Sequence, residues 1–490
     1  MRPVRLLTAA ACLSLGCGAP DAPSPAKEPT PILQPITHGL AVAEMRPGRA
    51  IFWARGARDG TLHVRIGERH ASAPLEAERD HTVRLPIDSL PAGPLAYRAW
   101  LTAAEGASVP KAEAMVAGAV RLPPADDVAA PVRFVWSGDL SGQNVCRDAE
   151  RGFPAVQAMM AREADFAIAL GDMIYADNPC EATGRFGNAQ VPRDQGLARA
   201  RPEYWAHWRY NLAAPEVQRM RRAFYAVWDD HEVVNDVGPL HDTRDRPPYA
   251  PGEHLLPVAQ QAVRDYQPFA HDERLYRRAR WGRHLELFFL DTRSYRDANG
   301  APDDGEAPKT MLGDAQRRWL LDGLRASDAT WKVIVSSVPM AIPTGWPPDQ
   351  GRDGWCDAGG ETGFERELLD ILEAMRDASV RSLWITTDVH FATAFSHRPF
   401  AGDGGPPFEA LEVVVGPLSA GLFPNGEVDG SLGSERLFFH GPEGLDAVTD
   451  YEEAIGWFNF GEVAIDEAGA LTVAVRDGRG DPIWERRFEP

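Results

Sequence analysis

The sequence predicts a mixed α/β protein with a small all-β segment in front of its main domain. From residue 132 onward, short apolar runs alternate with amphipathic helical stretches, as they do in an α/β sheet. Between residues 38 and 122 no long helical pattern occurs, and short half-alternating apolar segments are separated by Gly, Pro and Asp. The chain has 490 residues, of which 44% are hydrophobic, so it is long enough for two or three domains.

The N-terminus is typical of an export signal. Arg2 and Arg5 precede a short apolar run and small residues lead up to Cys17, so residues 1–17 are predicted to be a signal peptide. The residues around Cys17 resemble a bacterial lipobox, which predicts a lipid anchor; an ordinary cleaved secretory signal is the alternative. Residues 18–37 are Pro-rich and are predicted to form an extended tether. We therefore expect an exported protein of the periplasm or cell envelope that touches the membrane only through this anchor.

Residues 38–122 are predicted to form a β-sandwich domain. Its strand candidates are AIFWARG, TLHVRIG, HTVRLPI and LAYRAWL. The segment DSLPAGPLAYRAWL is similar to the end of a fibronectin-like or immunoglobulin-like sandwich, where a Leu-Pro-Gly turn precedes a strand that carries a Tyr. A linker at 122–131 leads to the main domain, which is predicted over 132–490.

The main domain begins with the strand VRFVWSGD and a helix over 153–164. Its further strand candidates, in chain order, are DFAIALGD, HLELFFLDTRSYR, WKVIVSSVPM, VRSLWITTDVH, LEVVVGP, FNFGEVAID and LTVAVRD. Helical stretches are predicted over 202–222, from Asp314 as an N-cap, and over about 363–378. The alternation predicts a mixed sheet.

Several of these strands end in turns that carry carboxylates or histidines. The residues of these turns are Asp139, Asp172, Asp229 to Glu232, Asp388 and His390. Carboxylates crowded at one sheet edge repel one another and raise one another's pKa, and two multivalent cations with oxygen ligands would remove that repulsion. The alternative for each turn is a carboxylate that caps the following helix. Four such turns in one chain favour metal binding.

These motifs resemble those of the calcineurin-type metallophosphoesterases, and most closely those of the alkaline phosphatase D (PhoD-like) family. They are SGDLSGQ, LGDMIYAD, VWDDHE, LDTRSYR and TTDVH, and the resemblance covers about 38–490. GDMIYAD is also similar to a turn of the purple acid phosphatases. The resemblance implies a four-layer α-β-β-α sandwich. It also implies a metal-dependent phosphoesterase that hydrolyses phosphate monoesters, diesters or both, and the N-terminal signal predicts that this enzyme is exported.

The resemblance further implies ligands for two metal ions. Asp139, Asp172, Tyr175 and His390 would hold the first metal, and Asp172 (as a bridge), Asp230 and Asp388 the second. His231 would lie beside the metals and orient or protonate the leaving oxygen, and Arg293 would grip a phosphate oxygen as a bidentate fork. Two cations about 3.5–4 Å apart would share a hydroxide that attacks phosphorus.

Two departures from the related families bear on the metals. SGDLSGQ lacks the cysteine of a Ser-Cys-Gln turn, so Asp139 is expected to take over that ligand role. Ser336 and Ser337 stand in the region where purple acid phosphatases supply a histidine. The oxygen-rich set, with the phenol of Tyr175, predicts Fe³⁺ at the first site and Ca²⁺ at the second, with Mn²⁺, Mg²⁺ or Zn²⁺ as alternatives there.

The expected partner is a small phosphate ester. The net charge of −20 opposes a nucleic-acid partner, whether general or sequence-specific, because such a partner favours a basic face. No GxxxxGK[ST] motif occurs, so the sequence does not favour a nucleotide triphosphatase of the P-loop type. Two alternatives remain open: a phosphodiesterase or phospholipase-like activity at the same site, and a non-catalytic binding lipoprotein. The sequence makes no prediction about oligomeric state.

Three cysteines lie outside the signal, namely Cys146, Cys180 and Cys356, so export permits one disulfide and leaves one thiol. Cys146 and Cys180 each follow a proposed ligand turn by a few residues. A disulfide that joins these two loops is one hypothesis, and two free thiols are the other.

One long segment, 343–363, is rich in Gly, Pro and Trp. Such segments are often active-site lids, and a surface insertion is the alternative. Trp346 and Trp355 are the tryptophans that we expect near the substrate.

Overall fold

The computed structural model describes residues 33–103, 115–239, 255–270, 274–305, 308–345, 350–359 and 361–490. The predicted signal peptide and most of the predicted tether lie outside the described residues. The first strands are β1 (Leu33–Gln34), β2 (Thr37–Arg46), β3 (Arg49–Arg55), β4 (Thr61–Ile66), β5 (Arg69–Pro74), β6 (Thr82–Asp88), β7 (Gly93–Thr102) and β8 (Val116–Leu122).

The strands that follow are β9 (Val132–Ser137), β10 (Phe166–Ala169), β11 (Phe224–Ala226), β12 (Arg277–Trp281), β13 (Leu285–Phe289), β14 (Trp331–Val335), β15 (Ser382–Thr386), β16 (Ala392–His397), β17 (Ala410–Val414), β18 (Ser434–His440), β19 (Asn459–Ile465), β20 (Leu471–Asp477) and β21 (Pro482–Phe488). The α-helices are α1 (Pro154–Met160), α2 (Arg201–Leu212), α3 (Pro215–Met220), α4 (Leu256–Tyr266), α5 (Gly313–Ala326), α6 (Glu365–Asp377) and α7 (Tyr451–Trp457).

The eight N-terminal strands divide between two sheets. β1, β4, β5, β7 and β8 form an antiparallel sheet of their own. β2, β3 and β6 instead form one end of a nine-stranded sheet, in the order β21-β20-β19-β9-β10-β11-β2-β3-β6. β2 joins the main domain through a parallel pairing of Ala43 with Phe224 in β11. The nine-stranded sheet therefore continues across the predicted linker, and 38–122 is not a separate sandwich in the structure.

The burial of β2 explains this difference. Every residue of Leu40–Met45 is buried. Leu40 and Val42 belong to the apolar core between the sheets, whereas Ala41 and Ala43 belong to the core under the helices. A strand that is buried on both faces is a central strand of a layered α/β fold. The strand candidates of the sequence analysis begin at AIFWARG and did not include β2.

Two sheets pack face to face and form the main core. The second sheet has seven strands, in the order β12-β13-β14-β15-β17-β16-β18. Phe134 and Ile168 of the nine-stranded sheet share one apolar cluster with Leu287 and Val333 of the seven-stranded sheet. Helices α1–α4 and α7 cover the outer face of the first sheet, and α5 and α6 cover that of the second. The predicted α/β class is confirmed, and the layers run helix, sheet, sheet, helix.

Helix α6 illustrates why the periodic stretches become helices at these positions. Its buried side chains recur with the spacing of one helical face: Leu368, Ile371, Leu372 and Met375. This face packs in one cluster with Trp384 of β15. Among the described ranges, none of the helices combines the length and the apolar character that a membrane crossing requires.

Parallel pairing determines where the strand ends meet. β9, β10 and β11 are parallel neighbours in one sheet, and β13, β14, β15 and β17 are parallel neighbours in the other. The carboxyl ends of parallel neighbours lie at the same edge of a sheet, and that edge is where open α/β folds bind ligands.

Candidate metal centre

Carboxylates from four strand ends come together at this edge. They are Asp139 after β9, Asp172 after β10, Asp230 after β11 and Asp388 after β15 of the other sheet. Asp139, Asp172 and Asp388 have positive φ angles of 60°, 51° and 82°. A left-handed backbone costs a residue with a side chain about 1–3 kcal/mol, and such residues cluster at functional sites. The turns therefore hold these three residues in a backbone conformation of higher energy, as is common at functional sites.

The predicted ligands of the second metal form one group. Ligand oxygens of Asp172, Asp229, Asp230 and Asp388 all lie within 4.8 Å of one another. Within the described ranges, each of these carboxylates has one buried oxygen without a hydrogen-bond partner. Burial and the neighbouring carboxylates raise the pKa of Asp172 and of Asp388 well above the usual range. A buried carboxylate needs a partner for its charge, so this donor set fits a cation.

The predicted ligands of the first metal lie beside this group. Tyr175 Oη is 2.9 Å from His390 Nε2, which in turn is 3.7 Å from Asp139 Oδ1. Asp139 Oδ1 is buried without a hydrogen-bond partner among the described residues, and burial together with Asp229 raises the pKa of Asp139 to about 8. Burial and the Asp172 carboxylate raise the pKa of the Tyr175 phenol well above its usual range. A cation at this point would favour the charged forms of both groups.

His390 is oriented for metal binding. Its Nδ1 lies 2.5 Å from the carbonyl oxygen of Gly421, which requires a proton on that nitrogen. The neutral ring then has its lone pair at Nε2, on the side of Asp139 and Tyr175. Burial lowers the pKa of His390 to about 3, so the ring stays neutral. A carbonyl that accepts from Nδ1 is the usual support behind a metal-binding Nε2.

Glu232, to which the sequence analysis gave no role, joins two of the ligand turns. Its Oε2 accepts hydrogen bonds from the backbone N–H groups of Asp172 (3.0 Å) and Asp229 (2.8 Å). Its Oε1 accepts one from Met173 (2.7 Å). Glu232 therefore sets the spacing of the turns after β10 and β11. The position of Glu232 in the VWDDHE motif indicated that it lies near the centre. The motif alone does not show which of its acidic residues accepts hydrogen bonds from backbone N–H groups.

His231 lies at the cavity wall and is held by Asp177. Its Nδ1 is 2.7 Å from Asp177 Oδ1, and the other oxygen of Asp177 accepts from the backbone N–H of Asn235 (2.9 Å). Burial opposes the positive charge, but Asp177 and Asp230 raise the pKa of His231 to about 10. A ring nitrogen of His231 also lies within 4.8 Å of ligand oxygens of Asp172 and Asp230. The structure thus brings His231 to the centre, and its role in turnover stays a prediction.

Arg293 lies among carboxylates and not at the cavity wall. Its fully buried side chain places Nε 2.5 Å from Asp229 Oδ1 and Nη1 2.9 Å from Asp353 Oδ2. Arg293 is absent from the described residues that line the cavity. The guanidinium therefore binds two carboxylates in the structure, whereas the sequence analysis predicted that it would bind a phosphate oxygen. This difference arises because Asp353 comes from the distant 343–363 segment, whose path the sequence does not reveal.

The segment 343–363 contributes to both the site and the core. Residues 343–345 line the cavity, and Asp353 binds Arg293. Trp355 is fully buried in the cluster under α5 and α6, so the expectation that it lies near the substrate is wrong. Trp346 lies outside the described residues.

Two hydroxyl groups support the carboxylates. Ser337 Oγ donates to Asp229 Oδ1 (2.9 Å), and Thr387 Oγ1 donates to Asp139 Oδ2. Ser337 belongs to the region where purple acid phosphatases are expected to supply a histidine. In this chain that serine stabilises a carboxylate, and the donors around the centre are mainly oxygens.

The disulfide between Cys146 and Cys180 is confirmed. The Cα atoms of the two cysteines are 6.0 Å apart. The bond joins the loop after β9, which carries Asp139, to the loop after β10, which carries Asp172. Cys356 is a buried thiol, and burial raises its pKa well above the usual range. The disulfide therefore ties together two of the ligand loops.

A cavity of about 990 Å³ opens onto the centre. Its lining includes Asp172, Asp230, His231, Asp388 and His390. Sites for small molecules range from about 300 to 1,000 Å³, so there is room for a substrate much larger than a phosphate ion.

Solved structures that resemble this one include two phosphatases. A structure of PhoD matches with a TM-score of 0.71 and 18% sequence identity, over 96% of this chain and 90% of that chain. The purple acid phosphatase PPD1 from yellow lupin (Lupinus luteus) seeds matches with a TM-score of 0.58 and 12% identity, over 93% of this chain and 75% of that chain. Both matches place the fold in the class of mixed α/β phosphoesterase folds.

The chain belongs to the PhoD-like phosphatase family, whose family model matches residues 134–468. It is also similar to alkaline phosphatase D of Bacillus subtilis (strain 168), with 24% identity over 404 residues. That alignment covers 74% of this chain and 65% of the Bacillus protein, so the chain spans just under two thirds of that relative's length. The family predicted from the five motifs is thereby confirmed.

Proposed function

We propose that this protein is a metal-dependent phosphoric ester hydrolase of the alkaline phosphatase D type, acting on phosphate monoesters, diesters or both. The observation that carries the proposal is a group of four carboxylates beside an open cavity: Asp172, Asp229 and Asp230 are buried, Asp388 is half-buried, and each has one buried oxygen without a hydrogen-bond partner among the described residues. A non-catalytic binding lipoprotein would not require this arrangement, because unpaired buried charge destabilises a fold.

Two metal ions would be held by the residues at the strand ends. The first would be bound by Asp139, Asp172, Tyr175 and His390, and the second by Asp172, Asp230 and Asp388. Such a pair supplies a nucleophile at neutral pH and neutralises charge on the phosphoryl oxygens. The oxygen-rich donors support Fe³⁺ with Ca²⁺, with Mn²⁺, Mg²⁺ or Zn²⁺ as alternatives at the second site.

The protein's own groups position the reactants and move a proton. Glu232 and the disulfide hold the ligand turns at fixed spacing. Asp177 binds His231 Nδ1, which leaves Nε2 available to orient the leaving oxygen or to give it a proton. Arg293 offsets repulsion between Asp229 and Asp353.

The proposal is tested with purified protein loaded with iron and calcium. We expect it to hydrolyse 4-nitrophenyl phosphate, bis(4-nitrophenyl) phosphate or both, to lose activity with a chelator and to recover it when metal returns. The ratio of the two rates separates a phosphomonoesterase from the phosphodiesterase alternative. Protein that holds two metal ions per chain but hydrolyses neither compound would favour the binding lipoprotein.

Replacing Tyr175 with Phe tests the assignment of ferric iron. The substitution keeps the ring, whose centroid is 4.2 Å from that of His231, and removes only the oxygen that lies beside His390. An iron-bound phenolate gives a visible charge-transfer band, so we expect the iron-loaded wild type to be purple and Tyr175→Phe to lose this colour. Absorbance at equal iron content is the measurement. An unchanged band in the variant would show that Tyr175 does not bind the iron.

Replacing Cys17 with Ser tests the lipid anchor, which rests on the lipobox-like sequence alone. We propose that the protein is exported and held at the cell envelope through an acylated Cys17. The wild type is then expected in the membrane fraction and Cys17→Ser in the soluble exported fraction. An exported wild type that is already soluble would instead support simple signal cleavage.

A further inference from the structure

The cavity has an apolar side that the metal chemistry does not use. Phe423 is 39% exposed and is the only one of the strongly exposed large hydrophobic residues, within the described ranges, that lines the cavity. Its ring is stacked on the ring of His390, with centroids 4.6 Å apart and planes 2° from parallel. One face of Phe423 is therefore occupied by a proposed metal ligand, while 39% of the residue stays exposed.

The apolar surface continues beyond Phe423. Ile342, Val389 and Phe391 also line the cavity, and together they form one small apolar cluster. The loop that carries Phe423 lies against this cluster, since a side-chain carbon placed on Gly426 would be 3.3 Å from Ile342 Cγ2 and 4.0 Å from Phe391 Cζ. Phe423 and this apolar cluster therefore line the same cavity as the metal centre.

The charges around the cavity favour an apolar ligand group over an anionic one. Six carboxylates line it, namely Asp172, Asp177, Asp230, Asp236, Asp388 and Glu427. Arg352 is the one Arg or Lys that lines it in the described part of the chain, and its Nε is already bound to Asp357. Three of the six are proposed metal ligands and Asp177 is bound to His231, so a second anionic group away from the centre would meet Asp236 and Glu427. An apolar group would instead gain from leaving water.

We propose that the substrates are phosphate esters of apolar alcohols, aryl or alkyl, and that Phe423, Ile342 and Phe391 form the subsite for the organic group. This inference rests on the proposed function, because the metal centre sets the position of the phosphoryl group. His390 links the two parts of the site, since it contacts both Tyr175 and Phe423. The organic group would lie against the exposed surface of Phe423, and the phosphoryl group would lie at the metal ions that the carboxylates hold.

The test compares the binding of phenylphosphonate and methylphosphonate to metal-loaded protein by calorimetry, at a pH where both are dianions. Their P–C bonds are not hydrolysed, so binding is measured without turnover. A hydrophobic pocket discriminates a single methylene by about 10–200-fold, so we expect phenylphosphonate to bind at least about tenfold more tightly. Phe423→Ala should remove most of this preference, and Phe423→Leu should retain most of it because the side chain stays apolar. Val128→Ala, at a residue that is 44% exposed outside the cavity, is the matched control and should leave the preference unchanged.

The outcomes separate the subsite from the function. Equal affinities in the wild type, or a preference that survives Phe423→Ala at equal metal content, would overturn the subsite. If the protein hydrolyses esters but binds both phosphonates equally, the proposed function stands and the proposed subsite is wrong. If the protein prefers phenylphosphonate but hydrolyses no ester, the proposed function is wrong. The subsite then stands as a binding site for apolar phosphoryl compounds.

Discussion

Asp172→Asn is expected to abolish ester hydrolysis and to lower bound metal while the fold survives. The substitution keeps the shape of the side chain and an oxygen that can accept from the backbone N–H of His231, now 3.0 Å from Asp172 Oδ1. It removes the charge of the carboxylate that both predicted metals share. Loss of one electrostatic contact in an active site costs about 10²–10³-fold, and we expect at least this loss because two metals are affected. Initial rates and elemental analysis are the measurements.

The same variant should affect stability differently with and without metal. Burial and neighbouring carboxylates raise the pKa of Asp172, so at neutral pH its ionised form opposes folding of the metal-free protein. Asn removes this repulsion, and the metal-free variant should unfold at the same temperature as the metal-free wild type or a higher one. A ligand at 100 times its dissociation constant stabilises a protein by about 2.7 kcal/mol, and the variant should lose much of that gain.

The control for this substitution is Asp370→Asn on helix α6, where the side chain is 51% exposed. It should change neither the activity nor the metal content. Full metal occupancy and normal activity in Asp172→Asn would place Asp172 outside the centre. A variant that fails to fold even without metal would contradict the argument that the carboxylate group opposes folding.

His231→Ala is expected to reduce turnover by about 10²–10⁴-fold, the usual contribution of a general acid or base, with metal content retained. The loss should be smallest for esters with good leaving groups such as nitrophenol, because these groups leave without a proton. Rates with 4-nitrophenyl phosphate and with an alkyl phosphate, at equal metal content, are the measurement. The expectation rests on the position of His231 at the cavity wall and on its bond to Asp177.

Two further variants sharpen this test. His284→Ala removes a histidine that is 6% exposed and whose ring nitrogens bind Thr330 and the carbonyl of Glu467, so it controls for the loss of a buried ring without touching the centre. Asp177→Asn keeps His231 but weakens the hydrogen bond to its Nδ1. This variant should therefore also lose more activity toward esters with poor leaving groups than toward nitrophenyl esters, although less than His231→Ala does. Equal losses for all leaving groups would assign His231 to positioning. Loss of metal from His231→Ala would make His231 a ligand, which its distance to Asp172 and Asp230 permits.

The position of most proposed ligands could be predicted because it depends on local features. Asp139, Asp172 and Asp388 each follow a short apolar run of the kind typical of a buried strand, and parallel neighbours bring such ends to one edge. The strand type and the turn are both encoded within about ten residues. The residues that support the ligands are different. Glu232 binds backbone groups of two turns, and Asp353 reaches Arg293 across 60 residues of chain.

The α/β class, the turns that carry the carboxylates and the family to which these motifs belong could be predicted from the sequence, because each depends on the order of residues within a short segment. Three features could not be predicted and are seen only in the folded chain: β2 extends the main sheet, Arg293 binds carboxylates, and Phe423 lies against His390. These outcomes depend on which surfaces meet after folding. A long or apolar side chain has many possible partners in the sequence, and the packing of distant segments selects among them.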